Sequence, residues 1–205
     1  MKGDMDMDAL TCIKTRRSSR KFLPDAVPQD ILEQVIEAGR CAPTGGNTQQ
    51  YHLIVIENRP VLDKLAELVQ AAYAPMEITE GMYSSLVNSI TQSKKGHYVF
   101  HYAPPVFIIV ANKKGYANAM ADSACVLENM MLAANALNLG SCWINQLHWL
   151  DGYSGITGQH PEVEAYLRSL GLNEDETVCG CLSLGYVEKL NRGEIAKKSS
   201  VTYVK

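Results

Sequence analysis

The chain has 205 residues, 46% of them hydrophobic, with a formal net charge of -3 and a pI near 6.0. That is enough for one well-cored domain and marginal for two, so residues 1–205 are read as a single domain. A weakly acidic chain is no nucleic-acid binder by bulk electrostatics, and no apolar stretch reaches the length of a membrane span.

Residues Ala9 to Arg20 read as a helix ending at or near the cluster Arg16-Arg17-Ser18-Ser19-Arg20. A second helix starts at Val27-Pro28-Gln29-Asp30 and sets Ile31, Leu32, Val35 and Ile36 on one face, with Gly39 and Pro43 ending it. Tyr51 to Glu57 is a nearly continuous apolar run, the pattern of a strand buried on both faces. Asn58-Arg59-Pro60 turns into a helix through Ala72. Residues 74–102 carry Met, Tyr, Ser, Lys and His without a clean period and are read as a helix and an excursion, a candidate lid.

Pro105 to Ala111 is the second buried strand. Asn118 to Leu139 is the longest helix, too apolar on several faces for a surface helix, which makes it central or part of a subunit interface. Gly140 to Ile144 is a third strand, residues around Pro161 to Leu170 a further helix, and Thr177 to Tyr186 a fourth strand interrupted by Gly180 and Gly185. The tail from Val187 is basic and ends in the strand-like SVTYV. Strands alternate with helices through irregular connections, so the class is α+β, an α/β-type mixed sheet flanked by helices.

The six cysteines contain no C-x-x-C, which leaves zinc and thioredoxin-type centres without support and predicts no metal site. Cys125 lies in an apolar helical run, and Cys179 and Cys181 alternate with Gly and Leu in a strand-like stretch. Met1 to Leu10 is acidic and Met-rich, without the apolar core of a secretory signal. Reduced thiols in a cytoplasmic protein are the expectation.

Two short clusters carry the chemistry. Arg16, Arg17 and Arg20 with Ser18 and Ser19 supply fixed cationic forks and hydroxyl donors, the groups that hold a phosphate. Pro43-Thr44-Gly45-Gly46-Asn47-Thr48-Gln49 is a Gly-rich turn flanked by amides, able to grip the polar edge of a flat heterocycle. Together they point to a phosphorylated, ring-containing cofactor. Neither G-x-G-x-x-G nor G-x-x-x-x-G-K-[ST] is present.

These pieces, in this order, resemble the FMN-dependent nitroreductase family over nearly the whole chain. The family's R-[RH]-S-x-[RK] clamp stands here at Arg16 to Arg20, and its A-P-[ST]-x-x-N-x-Q turn at Ala42 to Gln49. Its Ala-rich helix ending in G-L-G-S-x-x-[IL] appears as Ala133 to Ile144, and its terminal L-G-Y as Leu184-Gly185-Tyr186.

The resemblance implies a domain-swapped homodimer with FMN at the subunit interface, the apolar helix paired with its twin. The Arg cluster of one subunit would then meet the Pro43–Gln49 turn of the other, leaving a monomer with half a site. Arg16, Arg20 and Ser18 would hold the phosphate and ribityl end. Arg17 would sit at the pyrimidine edge of the ring, where a fixed cation favours the negative charge that two-electron chemistry brings. Asn47 and Gln49 would reach in from the partner, with Pro43 and Thr44 shaping the turn. The Asn145 backbone amide, beside Trp143 and Ile144, would face flavin N5, and Arg192, Lys197 or Lys198 would add a cation from the tail.

No side chain need act as a nucleophile. The expected activity is ping-pong hydride transfer from NADH or NADPH to nitro, quinone or similar small acceptors. His97, Tyr98, Phe100, His101 and Tyr102 are candidates for lining the acceptor pocket, or for a proton donor. Two departures stand out: Gln49-Gln50-Tyr51 replaces a frequent Gln-Pro-Trp, and Asn145 replaces an acidic residue or Gly. The alternative function is a flavin-binding homodimer with little turnover, a carrier or redox sensor.

Overall fold

Strand β2 (Val106–Lys113) is buried through Asn112 because both of its edges and both of its faces are covered. In a computed structural model of the chain, describing residues 7–193 and 195–205, β2 pairs antiparallel with β1 (His52–Ile56) on one side and β4 (Glu176–Gly185) on the other. Strand β3 (Gly140–Ile144) pairs antiparallel with β4, giving the order β1-β2-β4-β3. Within the expected α+β class, the ladders between these strands are thus all antiparallel. The parallel element is a single bridge, Ser18 to Ser141. The first residues, Met1 to Asp6, lie outside the described residues, and with them most of the stretch read for a secretory signal.

The alternation of β2 sorts its side chains onto two cores. Val106, Ile108 and Val110 pack with Leu182 and Leu184 under helices α2 (Gln29–Arg40) and α5 (Ala119–Ala136). Phe107, Ile109 and Ala111 pack with Cys142, Ile144 and Cys181 under α3 (Arg59–Tyr73), α6 (Gln146–Leu150) and α7 (Pro161–Ser169). Helix α4 (Ser84–Lys94) joins that second layer through Leu86 and Ile90. Helix α5 is therefore central within one chain: it touches the sheet, α2 and α1 (Ala9–Thr15). No described helix is long and apolar enough to cross a membrane, and all six cysteines are free thiols.

Among the departures from the expected element boundaries, two have a clear local reason. Gly39 lies inside α2 rather than ending it, since a Cβ there would stand 2.7 Å from Met130 Cγ of α5. The glycine is a packing contact, and the helix ends one residue later at Arg40. Helix α1 stops at Thr15, not Arg20. The open edge of β3 captures the serines instead, the Ser19 N–H donating to the Ser141 carbonyl at 2.8 Å. A strand edge with unpaired backbone groups attracts such an extended segment, which lays the Arg cluster along β3.

Candidate functional site

A cleft of about 370 Å³ opens at the C-terminal end of β3. Its floor is Cys142, Trp143 and Ile144 of β3, followed by Asn145, Gln146 and Trp149 at α6. Arg20 enters from the extended N-terminal segment. Tyr83, Ser84, Ser85 and Asn88 form the wall at the start of α4, and Tyr102 closes another side. Among the described residues Arg20 is the only charged side chain in this lining, and no carboxylate faces in.

Each floor residue is fixed by a neighbour. At Gly180 of β4 a Cβ would meet Trp143 Nε1 at 2.8 Å and Leu127 Cδ1 at 2.9 Å, so the missing side chain makes room for the indole. Trp143 Nε1 then donates to Asn145 Oδ1 at 2.6 Å. Gln146 is held from below: its carbonyl accepts from the Tyr73 hydroxyl at 3.0 Å. Its Nε2 donates to Tyr98 Oη at 3.0 Å and Ser89 Oγ at 3.2 Å. Burial pushes the Tyr73 and Tyr98 phenols up, so both stay neutral. Burial also pushes the Cys142 thiol up, against the pull of Arg20, Ser18 and Arg16. This cysteine is a protonated wall group rather than a thiolate nucleophile.

Two consecutive left-handed residues lie beside Arg20. Its guanidinium carbon lies 5.9 Å from the centre of the Tyr102 ring, a cation–π distance. Tyr102 (φ 61°) and Ala103 (φ 50°) are both left-handed. Arg59 Nη2 holds the reversed chain by donating to the Ala103 and Pro104 carbonyls, each at 3.1 Å.

Of the anticipated site residues, Arg20, Trp143, Ile144 and Asn145 share this cleft. Arg16 is half-buried, with its Nε 3.8 Å from Glu128 of α5. Arg17 folds back on its own chain, donating to the carbonyls of Arg16 (2.6 Å), Lys14 (2.9 Å) and Gly193. Its buried Nε has no partner among the described residues. Ser18 is exposed beside β3. Arg192 closes the end of α5, donating through Nη2 to Asn135 O and Asn138 Oδ1, both at 2.9 Å. Lys197 and Lys198 are exposed in the tail.

Pro43, Thr44, Asn47 and Gln49 do not line the cleft of their own chain. They form a separate projection with a rigid base. The Gly45 N–H donates to Asp122 Oδ1 at 3.0 Å and Oδ2 at 3.2 Å. Tyr116 Oη lies 2.9 Å from Asp122 Oδ2 and 3.1 Å from the Gly45 carbonyl. Above this base Asn47 (φ 55°) and Gln49 (φ 49°) are left-handed and exposed. Gln49 Nε2 donates to Asn47 Oδ1 at 2.9 Å.

Within the 74–102 segment, only Tyr102 of the five aromatic and histidine candidates reaches the cleft. His101 is fully buried; its Nε2 lies 3.0 Å from the Leu62 carbonyl, and its Nδ1 accepts the Ala103 N–H at 3.0 Å. That pattern fixes the Nε2–H tautomer, and burial lowers the pKa, so the ring is a neutral structural group. The residues that sequence reading missed are Tyr83, Ser84, Ser85, Asn88 and Trp149. The only available signal was Ser84-Ser85 ahead of Leu86 and Ile90, and α6 is too short to show a period.

Comparison with known proteins fits this geometry. The model of the Nitroreductase family matches residues 13–186. The crystal structure of a nitroreductase with bound FMN from Bacteroides fragilis NCTC 9343 superposes with a TM-score of 0.80 and 35% identity, covering 96% of this chain and 98% of that one. A nitroreductase with bound FMN from Desulfitobacterium hafniense DCB-2 gives a TM-score of 0.75 at 25% identity, over 96% and 97% of the two chains. A Haemophilus influenzae protein assigned as an NAD(P)H nitroreductase is 30% identical over 207 residues, 97% of this chain and 100% of that protein. With the family model matching most of its length, the chain belongs to the Nitroreductase family.

Proposed function

We propose that this protein is an FMN-dependent NAD(P)H oxidoreductase that reduces nitro, quinone or similar electron-poor small molecules. The observation that carries this reading is the meeting of Arg20 with Trp143, Ile144 and Asn145 in one cleft. Two segments more than a hundred residues apart converge on one concave, polar surface. The FMN carried by the Bacteroides fragilis and Desulfitobacterium hafniense proteins supports the choice of cofactor. The name given to the Haemophilus influenzae protein supports NADH or NADPH as the reductant.

The residues present suit that cofactor. When bound, FMN supplies hydride exchange at its ring. Arg20 and Ser18, with Arg16 behind them, provide the cations and hydroxyl for a phosphate. Arg17 would have to release the Lys14 and Arg16 carbonyls to reach the polar edge of a ring. The Asn145 backbone lies on the floor where the ring would rest, and exposed Asn88 offers a further amide from α4. The open mouth at Tyr83 and Asn88, both exposed, suits exchange of one substrate for another and so favours turnover over storage.

The working unit in this reading is a homodimer, each cleft completed by the partner's turn from Pro43 to Gln49. The turn, anchored on Asp122, lies outside the cleft of its own chain, as a group serving a second copy would. Exposed Leu10 and Ile13 on α1, and Ile195, Val201, Tyr203 and Val204 in the tail, are apolar surface for such a partner. The outer edge of β1 carries no strand among the described residues.

Anaerobic addition of NADH, then NADPH, to the FMN-loaded protein tests the proposal. Bleaching of the flavin bands, reversed by a nitroarene or quinone, is expected, and the faster donor identifies the reductant. Flavin that is bound but not bleached by either donor would overturn the oxidoreductase reading.

A further inference from the structure

The Trp143–Asn145 pair has a directional consequence. An indole N–H can only donate. The side-chain atom it meets at 2.6 Å must therefore be the oxygen of Asn145, which fixes the otherwise ambiguous flip of the carboxamide. The amide nitrogen then carries two N–H donors with no acceptor among the described residues, on a half-exposed side chain lining the cleft. The indole cannot readily turn away, since it is wedged over Gly180 with less than a side chain's clearance. Among the described residues, no carboxylate lines the cleft to repel an anion or to take up those donors. At the mouth, exposed Tyr83 stands edge to face with buried Trp149, centroids 5.8 Å apart, which gives the cleft an aromatic side.

We infer that Asn145, oriented by Trp143, selects the acceptor: its carboxamide N–H₂ donates to the oxygens of a nitro or carboxylate group on a flat aromatic substrate, and the cleft tolerates an anionic one. This rests on the function proposed above and adds to it a specificity-determining side chain and its positioning residue. An acidic residue at position 145 would present acceptors and a negative charge where this chain presents donors.

Equilibrium binding of two unreactive probes tests the assignment without turnover. Benzoate offers two anionic oxygens, while benzamide, nearly isosteric, is neutral and carries its own donors. Calorimetric titration of the oxidised FMN-loaded protein should show benzoate bound more tightly than benzamide. In Asn145→Asp the benzoate-to-benzamide affinity ratio should fall by about tenfold or more, the scale of one buried charge-assisted contact. Trp143→Phe keeps a ring over Gly180 but frees the carboxamide to rotate, and should lower the same ratio by about threefold. Should Asn145→Asp fail to hold flavin, Asn145→Leu carries the test, with benzoate affinity expected to drop about tenfold.

A ratio within twofold of wild type in both Asn145→Asp and Trp143→Phe would overturn the assignment, as would unchanged benzoate affinity in Asn145→Leu. A wild type that bleaches with NADH while showing those results sinks this assignment alone. A wild type that takes up no FMN sinks the proposed function and this inference together.

Discussion

Gly140 and Ser19 approach so closely that a Cβ on the glycine would stand 2.9 Å from the serine Cβ, and 2.6 Å from Val187 Cγ1. This contact lets the N-terminal segment lie against β3 and deliver Arg20 to the cleft. Gly140→Ala should therefore weaken FMN binding about tenfold or more, by pushing the clamp off β3. Overpacking should also cost about 1–3 kcal/mol of stability. Flavin titration and urea denaturation read the two effects; unchanged flavin affinity would show that the clamp does not depend on this approach.

Asp122 holds the amide turn by accepting the Gly45 N–H with both oxygens and contacting the Tyr116 hydroxyl. Hydrogen bonds to a charged group contribute about 1.5–3 kcal/mol, and the left-handed Asn47 and Gln49 need a fixed base to persist. Asp122→Ala should lose about that much stability and lower FMN affinity, while Tyr116→Phe should show a smaller effect in the same direction. Full retention of flavin by Asp122→Ala would separate the turn from the cofactor.

His101 makes stability depend on pH in a defined window. Burial is the main cause of its lowered pKa, with Arg59 pushing the same way and the Leu62 carbonyl and Asp63 opposing. The unfolded chain thus takes up a proton near the usual 6.5 while the folded chain does not. Stability from this group is fully present above that pH and declines as pH falls through it, at up to about 1.4 kcal/mol per pH unit. Glu176 acts lower: despite burial, His52 and Asn173 hold it below its usual 4.5, so its contribution is lost only in stronger acid. Urea denaturation from pH 8 to 5 should show the decline in wild type and a flatter profile in His101→Gln. Equal profiles would mean that His101 does not carry the dependence.

Much of this was legible in the chain because burial leaves a periodic trace. The strands His52–Ile56 and Val106–Lys113 were readable as apolar runs, and α3 from the Asn58-Arg59-Pro60 turn that opens it. The path of Arg16 to Arg20 was not, since its extended form comes from the edge of β3 more than a hundred residues away. Gly39 looked like a stop and is a helix–helix contact, because only the tertiary neighbour Met130 gives it meaning. In the candidate site, the clamp and the floor could be found by motif. The wall from Tyr83 to Asn88 could not, because exposed polar residues at a cleft mouth obey no period. His101 looked available for proton transfer until its two backbone partners and its burial were known.

The central claim is that the cleft bounded by Arg20 and Asn145 holds FMN through the clamp. The most direct measurement is a titration of flavin-free protein with FMN, followed by quenching of flavin fluorescence, in wild type and in Arg16→Ala/Arg20→Ala. The account predicts one FMN per chain in wild type. The double variant, folded to the same helical content, should bind at least about a hundredfold more weakly, since two charge-assisted phosphate contacts are lost. Stoichiometric, equally tight FMN binding by the double variant would contradict it.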